Sequence, residues 1–176
     1  RFKLVGASAV VNQLVRNGNF VNTSNWTAIN SSLSVANNEA TVTVTDTSLA
    51  SEIRTVVTNR KGHKYFRSAE VKVRQGQFLF SWYGGLALTV NANGNYQTIS
   101  NIFESLSNDS DNWRLQLGVK ADNSPSEFFA KNIILVDLTA MFGTAIADYI
   151  YSLEQATAGS GIAYLRKYGF FTKDYY

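Results

Sequence analysis

The sequence contains no cysteine, one proline and one histidine among its 176 residues. The lack of cysteine excludes disulfide bonds and thiolate metal sites, and it leaves the redox compartment undetermined. Charged residues make up 16% of the chain, and the formal net charge is only +3. Since the basic residues are scattered and form no stripe, the composition does not favour a nucleic-acid partner.

Long apolar runs are also lacking. No stretch approaches the roughly 20 apolar residues that a membrane-spanning helix needs, so we predict no membrane insertion. Walker and HExxH patterns are absent from the sequence, which argues against the nucleotide and zinc chemistry that those motifs support. The chain begins Arg1-Phe2-Lys3, without an initiator methionine or a signal-peptide pattern, and we therefore expect a piece of a longer polypeptide.

Short segments of alternating apolar and polar residues are abundant instead. Such alternation is typical of half-buried strands, and polar turn residues separate the segments every 8–12 residues or so. This pattern predicts an antiparallel β-sandwich or jelly roll, with a short C-terminal α-helical appendage. The predicted strands are 26–29, 33–37, 39–45, 51–58, 65–74, 78–83, 86–90, 96–104, 113–120 and 128–138.

The chain changes character within the stretch Phe128 to Gly143. Its first part, Phe128 to Leu138, is a dense apolar run of strand length and predicts a buried strand. Downstream, Ile146, Tyr149, Ile150 and Leu153 recur at the spacing of one helical face. We therefore predict a β-sandwich domain over residues 1–143 and a helical appendage over residues 144–176, which packs on the sandwich or on a neighbour.

Aromatic residues crowd the C-terminal end of the chain. Two phenylalanines and two tyrosines fall within its last seven residues. We expect them to fold back onto the body or to reach a neighbouring domain, and we take them as candidate interaction residues. They are Phe170, Phe171, Tyr175 and Tyr176.

Two neighbouring predicted strands offer a candidate sugar platform. We expect the core-facing residues to be Phe78, Phe80 and Trp82 on one strand and Trp113, Leu115 and Leu117 on the other. On that assignment, the residues that alternate with them along each strand face outward. A flat aromatic ring with arginine and amide groups suits a sugar. The alternative is that the exposed tyrosine is an ordinary surface aromatic, and a one-residue shift would exchange the two sets. The candidate glycan-binding residues are Ser81, Tyr83, Arg114 and Gln116.

Catalytic and metal-binding motifs are weak by comparison. His63 lies in the basic turn Arg60 to Lys64, where we expect it to face solvent and not to belong to a Ser-His-Asp triad. Glu104, Asp109 and Asp111 lack the glycine and the distal glutamate of a calcium loop. We therefore predict no catalytic residue, no metal ligand and no enzyme activity.

The segment Leu14 to Phe20 (LVRNGNF), followed by Asn25-Trp26, resembles the opening of jelly-roll carbohydrate-binding modules. The resemblance implies a two-sheet sandwich of the galactose-binding or xylanase-module type over roughly residues 14–138. Such modules often hold a structural calcium near the first and last strands. The aspartate expected in the last strand is replaced by Asn132, so we predict no cofactor and keep calcium as an alternative.

The segment Leu135 to Gly143 (LVDLTAMFG) is similar to the "DLT-x-x-FG" segment that closes such domains in tailed-phage and prophage tail proteins. In that family an "AGNEPT" stretch commonly follows, where this chain has residues 144–148 (TAIAD). The downstream helix and the pair Tyr175-Tyr176 fit the family pattern. This resemblance implies a tail, tail-fibre or baseplate component of a virion.

Together these features predict a noncatalytic domain of a phage tail protein that attaches to host cell-surface glycan. The implied partners are host surface polysaccharide and other tail or baseplate chains, with homo-oligomer formation left open. The implied location is the virion tail, acting outside the cell at the host surface. Two alternatives remain: a purely structural decoration or assembly module with no glycan ligand, and a glycan-degrading domain.

Overall fold

The computed structural model describes residues 14–45, 51–82, 87–106, 112–119 and 127–171. These residues form ten strands followed by three helices. The elements are β1 (Thr27–Ile29), β2 (Ser31–Ala36), β3 (Glu39–Val44), β4 (Ser51–Thr58), β5 (Lys64–Val73), β6 (Gln77–Trp82), β7 (Leu88–Asn91), β8 (Gln97–Glu104), β9 (Asn112–Val119), β10 (Glu127–Asp137), α1 (Leu138–Phe142), α2 (Thr144–Ala156) and α3 (Ser160–Lys167).

The strands form two antiparallel sheets of five strands each. One sheet has the order β1-β4-β9-β6-β7, and the other has the order β2-β3-β10-β5-β8. We call them the open sheet and the covered sheet, because the helices pack on the outer face of the second. The predicted fold class, an antiparallel β-sandwich with a C-terminal helical part, is confirmed.

Alternation along the strands places the core between the two sheets. On β5 the residues Tyr65, Ala69, Val71 and Val73 are fully buried, and on β6 Phe78 and Phe80 are fully buried. Phe78 and Phe80 therefore face the core, as the sequence predicts. The side chains of Trp82, Trp113, Leu115 and Leu117 lie outside the described part of the chain.

A buried arginine lies among these inward-facing residues. Arg67 is 1% exposed, and its Nε donates to Asn101 Oδ1 at 2.7 Å. Its Nη1 donates to the backbone carbonyl of Phe80, in the open sheet, at 3.1 Å. Rings of Phe80 and Phe103 each lie 5.1 Å from the guanidinium carbon. Burial lowers the pKa of Arg67 to about 10; these hydrogen bonds and ring contacts offset part of the lost hydration and tie the two sheets together.

Strand β10 contains a bulge that changes its register. Lys131 pairs with Glu70 but Ile134 pairs with Ser68, so β10 contains one extra residue at this point. Asn132 there has a φ of 53°, a left-handed conformation that asparagine tolerates. Before the bulge the even-numbered residues face the sandwich core, and after it the odd-numbered ones do. Residues 133–136 are all buried, because Ile133 and Leu135 face the core while Ile134 and Val136 lie under the helices.

The helical part begins directly at the end of β10. Asp137 caps α1, since its Oδ1 accepts a hydrogen bond from the Ala140 backbone N–H at 2.9 Å. The helices cover Phe66, Ile134 and Val136, which point outward from the covered sheet, and together they form a second apolar cluster. The predicted division at residue 143 stays a prediction, although the first helix already starts at Leu138.

Helices α2 and α3 approach each other very closely. A Cβ at Gly161 would lie 2.6 Å from the carbonyl oxygen of Ile150, so this position requires glycine. Glu154 Oε2 accepts a hydrogen bond from the Gly161 N–H at 3.1 Å and so caps α3 from the neighbouring helix. Of the helices described, none combines the length and the apolar character needed to cross a membrane.

The C-terminal phenylalanines pack on the body. The ring centroid of Phe171 lies 4.6 Å from that of Phe66, and the ring of Phe170 lies 4.9 Å from that of Phe142. Phe171 is buried. Of the two predicted alternatives, these two residues follow the first, in which the tail folds back. Tyr175 and Tyr176 lie outside the described residues, and a contact with a neighbouring domain stays a prediction.

Candidate functional site

The outer face of the open sheet carries most of the predicted sugar platform. Strand register aligns Arg54 of β4 with Gln116 of β9, and Gln116 with Ser81 of β6. In the next row, Arg114 pairs with Val56. Directly paired residues share a face of the sheet, so Ser81, Arg114 and Gln116 occupy positions on one face. Their role in glycan binding stays a prediction.

Part of the predicted sugar platform lies outside the residues that the structure describes. Tyr83 lies outside the described residues, as do the side chains of Arg114 and Gln116. Ser81 is half-buried. This face of the sheet is therefore defined by the backbone register of β4, β9 and β6 and by the side chains of β4.

A groove with a volume of about 840 Å³ runs beside β4 on this part of the molecule. The segment that leads into β1 forms one side of it, and β4 forms the other. This volume lies within the range of small-ligand sites, roughly 300–1,000 Å³. The side chains that give the groove its chemistry are Arg16, Asn25, Trp26, Arg54, Val56 and Thr58.

The loop on one side of the groove is fixed by Asn17. Its side-chain nitrogen donates to the backbone oxygens of Asn22 and Ser24 at 2.7 and 3.0 Å, and its Oδ1 accepts from the Val21 N–H at 3.0 Å. The Trp26 indole N–H donates to the Asn17 carbonyl at 3.1 Å. Asn17 adopts a φ of 56°, which asparagine accommodates better than most residues. The LVRNGNF segment therefore places Asn25 and Trp26 beside β4.

The stacking of Phe20 on Trp26 anchors this loop in the core. The two ring centroids are 5.1 Å apart, and both residues are buried. Trp26 is only 7% exposed and therefore offers little ring surface to the groove. The exposed side chains along the groove include the hydrogen-bonding groups of Arg16, Asn25 and Thr58.

Arg54 is the central cation of the groove and pairs with Glu52 on the same strand. Its Nε and Nη2 both contact Glu52 Oε1. Nη1 makes no hydrogen bond to any residue that the structure describes. Glu52 itself is buried, at 8% exposure, and its carboxylate holds the guanidinium group in place beside the groove.

The predicted site did not include four residues of the groove, although the sequence contains features that point to them. These residues are Arg16, Asn25, Trp26 and Arg54. Arg16, Asn25 and Trp26 belong to the motif that indicated the fold. Arg54 alternates with Ile53 and Thr55, which are buried, so the period of two already places it on the outer face. The missing information was the order of the strands, which brings β1 and β4 together.

The prediction that His63 faces solvent is wrong. Its Nδ1 lies 2.8 Å from Asp137 Oδ2, and its side chain is only 23% exposed. Asp137 is 74 positions away in the sequence, so the pairing of β5 with β10, and not the local basic turn, determines this environment. Because Asp137 also caps α1, the His63–Asp137 pair connects the sandwich to the helical part. Among the described residues, this pair belongs to no catalytic triad.

Neighbouring groups reinforce the same connection. The Lys64 N–H donates to Thr139 Oγ1 at 2.8 Å. Burial and the nearby Asp137 carboxylate raise the pKa of Tyr65, and its hydroxyl oxygen accepts a hydrogen bond from the Arg60 N–H at 2.8 Å. Asp137 and Thr139 of the DLT segment thus have a structural role here.

Metal ligands do not gather anywhere in the ranges given above: no group of three or more His, Cys, Asp or Glu residues there could hold a metal ion. Asn132, which occupies the position where the resemblance implied an aspartate, donates instead to Glu70 Oε1 at 2.8 Å. The described part of the chain therefore gives no support to the alternative of a structural calcium.

Comparison with known proteins shows the fold and no sequence family. No protein-family model matches the chain, and no curated protein matches it. Among solved structures, a family 4 carbohydrate-binding module superposes with a TM-score of 0.58 at 14% identity, covering 69% of this chain and 98% of the module. The fold of a carbohydrate-binding-module β-sandwich is thus shown.

A phage protein also matches. The enzymatically active domain of tailspike protein 4 from bacteriophage CBA120 superposes with a TM-score of 0.50 at 14% identity. The match covers 71% of this chain but 21% of the tailspike chain. This chain is therefore similar in fold to about a fifth of that domain.

Proposed function

We propose that this chain is a noncatalytic glycan-binding domain of a bacteriophage tail protein, and that it attaches the virion to host cell-surface polysaccharide. The observation that carries the proposal is the groove between β4 of the open sheet and the segment that leads into β1. Arginine, asparagine and threonine side chains line it, and such groups bind sugar hydroxyls. The fold similarity to a carbohydrate-binding module supports the same ligand class.

Two observations support the phage setting. One is the resemblance of Leu135 to Gly143 to the closing segment of tail-protein domains, and the other is the fold similarity to part of a phage tailspike. On this proposal the domain acts outside the cell, from the tail of the virion. Weak binding at one site would be multiplied by several copies on one particle.

The composition of the groove favours binding over hydrolysis. Its described lining contains no aspartate, glutamate or histidine. Most glycoside hydrolases need two carboxylates about 5–10 Å apart at the scissile bond. The neighbouring Glu52 is engaged with Arg54. We therefore expect no sugar release when the chain is incubated with bacterial surface polysaccharide, and released sugar detected by chromatography would contradict this part of the proposal.

A glycan array with the 176-residue chain tests the proposal directly. We expect retention of a subset of bacterial glycans, with about tenfold weaker binding for Arg54→Ala, because a hydrogen bond to a charged group is lost. Tyr83→Ala and Arg114→Ala test the predicted platform in the same way. The matched control is Arg166→Ala, an exposed arginine on α3; an equal loss in this control would place the binding elsewhere.

A structural module is the second candidate, and the helical part favours it. Ile146, Tyr149 and Tyr168 are 49, 51 and 57% exposed, and the ring of Tyr164 lies 5.5 Å from that of Tyr149. Exposed aromatic groups of this kind often contact other chains. This candidate predicts no retention on the array and, for Tyr149→Ser, weaker association with other tail chains in sedimentation experiments.

A further inference from the structure

The outer face of the open sheet has an imbalance of charge. Its described positions on the five strands include one acidic residue, Glu52, and two basic residues, Arg54 and Arg114, as the strand pairings place them. The groove beside β4 adds Arg16. Three arginines thus oppose one carboxylate, although the chain as a whole is only slightly basic.

Two of these arginines, Arg16 and Arg54, have hydrogen-bond donors without a partner among the described residues. Arg16 is exposed and makes no ion pair or hydrogen bond with a described residue. Arg54 uses Nε and Nη2 for Glu52, which leaves its Nη1 without a partner in the described ranges. A guanidinium group has five N–H donors in a planar fork that matches the geometry of carboxylate and phosphate. Neutral hydroxyls would use these donors less effectively than an anion would.

The covered sheet provides an internal contrast. Its uncovered half also carries basic residues on the outer face, but each of these has a partner on that face. Arg74 pairs with Glu127 at 3.1 Å, and Lys131 pairs with Glu70 at 3.7 Å. Lys72 Nζ lies 4.0 Å from the ring centroid of Phe129. The excess of arginine is therefore a local property of the groove and its sheet, and it does not occur on both faces of the sandwich.

We infer that the groove binds an anionic saccharide, with Arg16 and Arg54 as the residues that contact its acidic groups. This inference rests on the proposed function and narrows it to the class of ligand. The shared chemistry is a negatively charged group on a sugar chain, supplied either by the carboxylate of a uronic acid or by a sulfate or phosphate substituent. Neutral polysaccharides are the class of ligand that this inference excludes.

Matched polymer pairs test the inference. Polygalacturonate is compared with its fully methyl-esterified form, and dextran sulfate with dextran, by calorimetry and by affinity electrophoresis of the 176-residue chain. We expect about tenfold or greater preference for the charged member of at least one pair, as is typical of hydrogen bonds to charged groups. The preferred pair distinguishes the carboxylate from the sulfate source. The preference should shrink as salt shortens the Debye length from about 30 Å at 0.01 M to about 3 Å at 1 M.

Three variants locate the effect. Arg16→Gln and Arg54→Gln should each reduce binding of the preferred charged polymer about tenfold, whereas Arg166→Gln removes the same charge from α3 and should change it less than twofold. Arg16 is exposed and makes no hydrogen bond or ion pair with a described residue. Arg16→Gln should therefore stay folded and test the inference even if Arg54→Gln is unstable. Melting temperatures confirm that the compared variants are folded.

The outcomes distinguish failure of the inference about ligand charge from failure of the proposed glycan-binding function. Equal binding within both pairs, or equal losses for Arg16→Gln and Arg166→Gln, would overturn the inference. Retention of neutral bacterial glycans on the array would then still support the proposed function. If neither the polymers nor any glycan on the array is retained, both the inference and the proposed function are wrong.

Discussion

The outer faces of the two sheets have very different surroundings. On the covered sheet, one end lies under the helices, so Phe66, Ile134 and Val136 belong to an apolar cluster. On the open sheet, Val56 occupies an equivalent outward position on β4 but is 60% exposed. A sandwich needs only its inner faces for a core. The covered face therefore contributes additional stability, and the open face is free to bind a ligand.

Polar groups on the two faces differ as well. Outside the helices, the covered sheet has paired charges and cation–aromatic contacts, such as Lys72 Nζ at 4.0 Å from the ring centroid of Phe129. The open sheet instead has an excess of arginine beside a groove. Side chains that satisfy one another leave little for a ligand, whereas unpaired donors on a fixed strand are already positioned for one.

The largest effect should come from matched valines on the two outer faces. Val136→Ala removes two methyl groups from a residue that is 1% exposed, and we expect the free energy of unfolding to fall by about 2–3 kcal/mol. Val56→Ala should change it by no more than about 0.5 kcal/mol. Urea denaturation of both variants measures the difference, and similar values for the two would show that the helices do not stabilise the covered face.

A smaller effect is expected at the junction of sandwich and helices. Asp137→Ala removes the cap of α1 and the partner of His63, and we expect a loss of about 1–2 kcal/mol. Hydrogen exchange should accelerate in residues 138–142 and remain unchanged in β4 and β9 of the open sheet. The exposed loop residue Ser24 provides the control variant Ser24→Ala, and uniform acceleration across both sheets would contradict a local role for Asp137.

The smallest effect concerns Lys64, which connects β5 to Asp148 of α2 at 3.0 Å and to Glu104 of β8 at 3.2 Å. Burial opposes its positive charge, but the two carboxylates outweigh burial and raise the pKa of Lys64 above its usual 10.5. A raised pKa means that the stabilisation is fully present below pH 10.5 and is lost as the pH rises through the higher value in the folded chain.

The wild-type chain should therefore exceed Lys64→Gln in stability by about 0.5 kcal/mol at neutral pH, since the carboxylates of Glu104 and Asp148 are 34 and 50% exposed and solvent screens both ion pairs. The difference should vanish under strongly alkaline conditions. Thermal melts of both proteins across the pH range measure it. A difference that persists after Lys64 has lost its proton would show that packing, and not charge, is responsible.

Much of the sandwich was predictable because local alternation determines which side chains face inward. The inward sets on β5 and β6, and the buried character of β10, follow directly from the order of residues. The groove could not be predicted, because it depends on β1 lying beside β4 and on the loop that Asn17 holds together. The environment of His63 likewise depends on a partner far away in the chain.

The extra residue at Asn132 has a consequence for how this chain tolerates change. Side chains alternate along β10 after the bulge, so Ile133 and Leu135 belong to one apolar interior and Ile134 and Val136 to another. Deleting Asn132 would leave a regular alternation in which these four side chains keep their faces, and Ile134 could still pair with Ser68. The bulge can therefore absorb the loss of one residue, whereas a residue inserted after Ile133 would turn the following side chains toward the wrong interior.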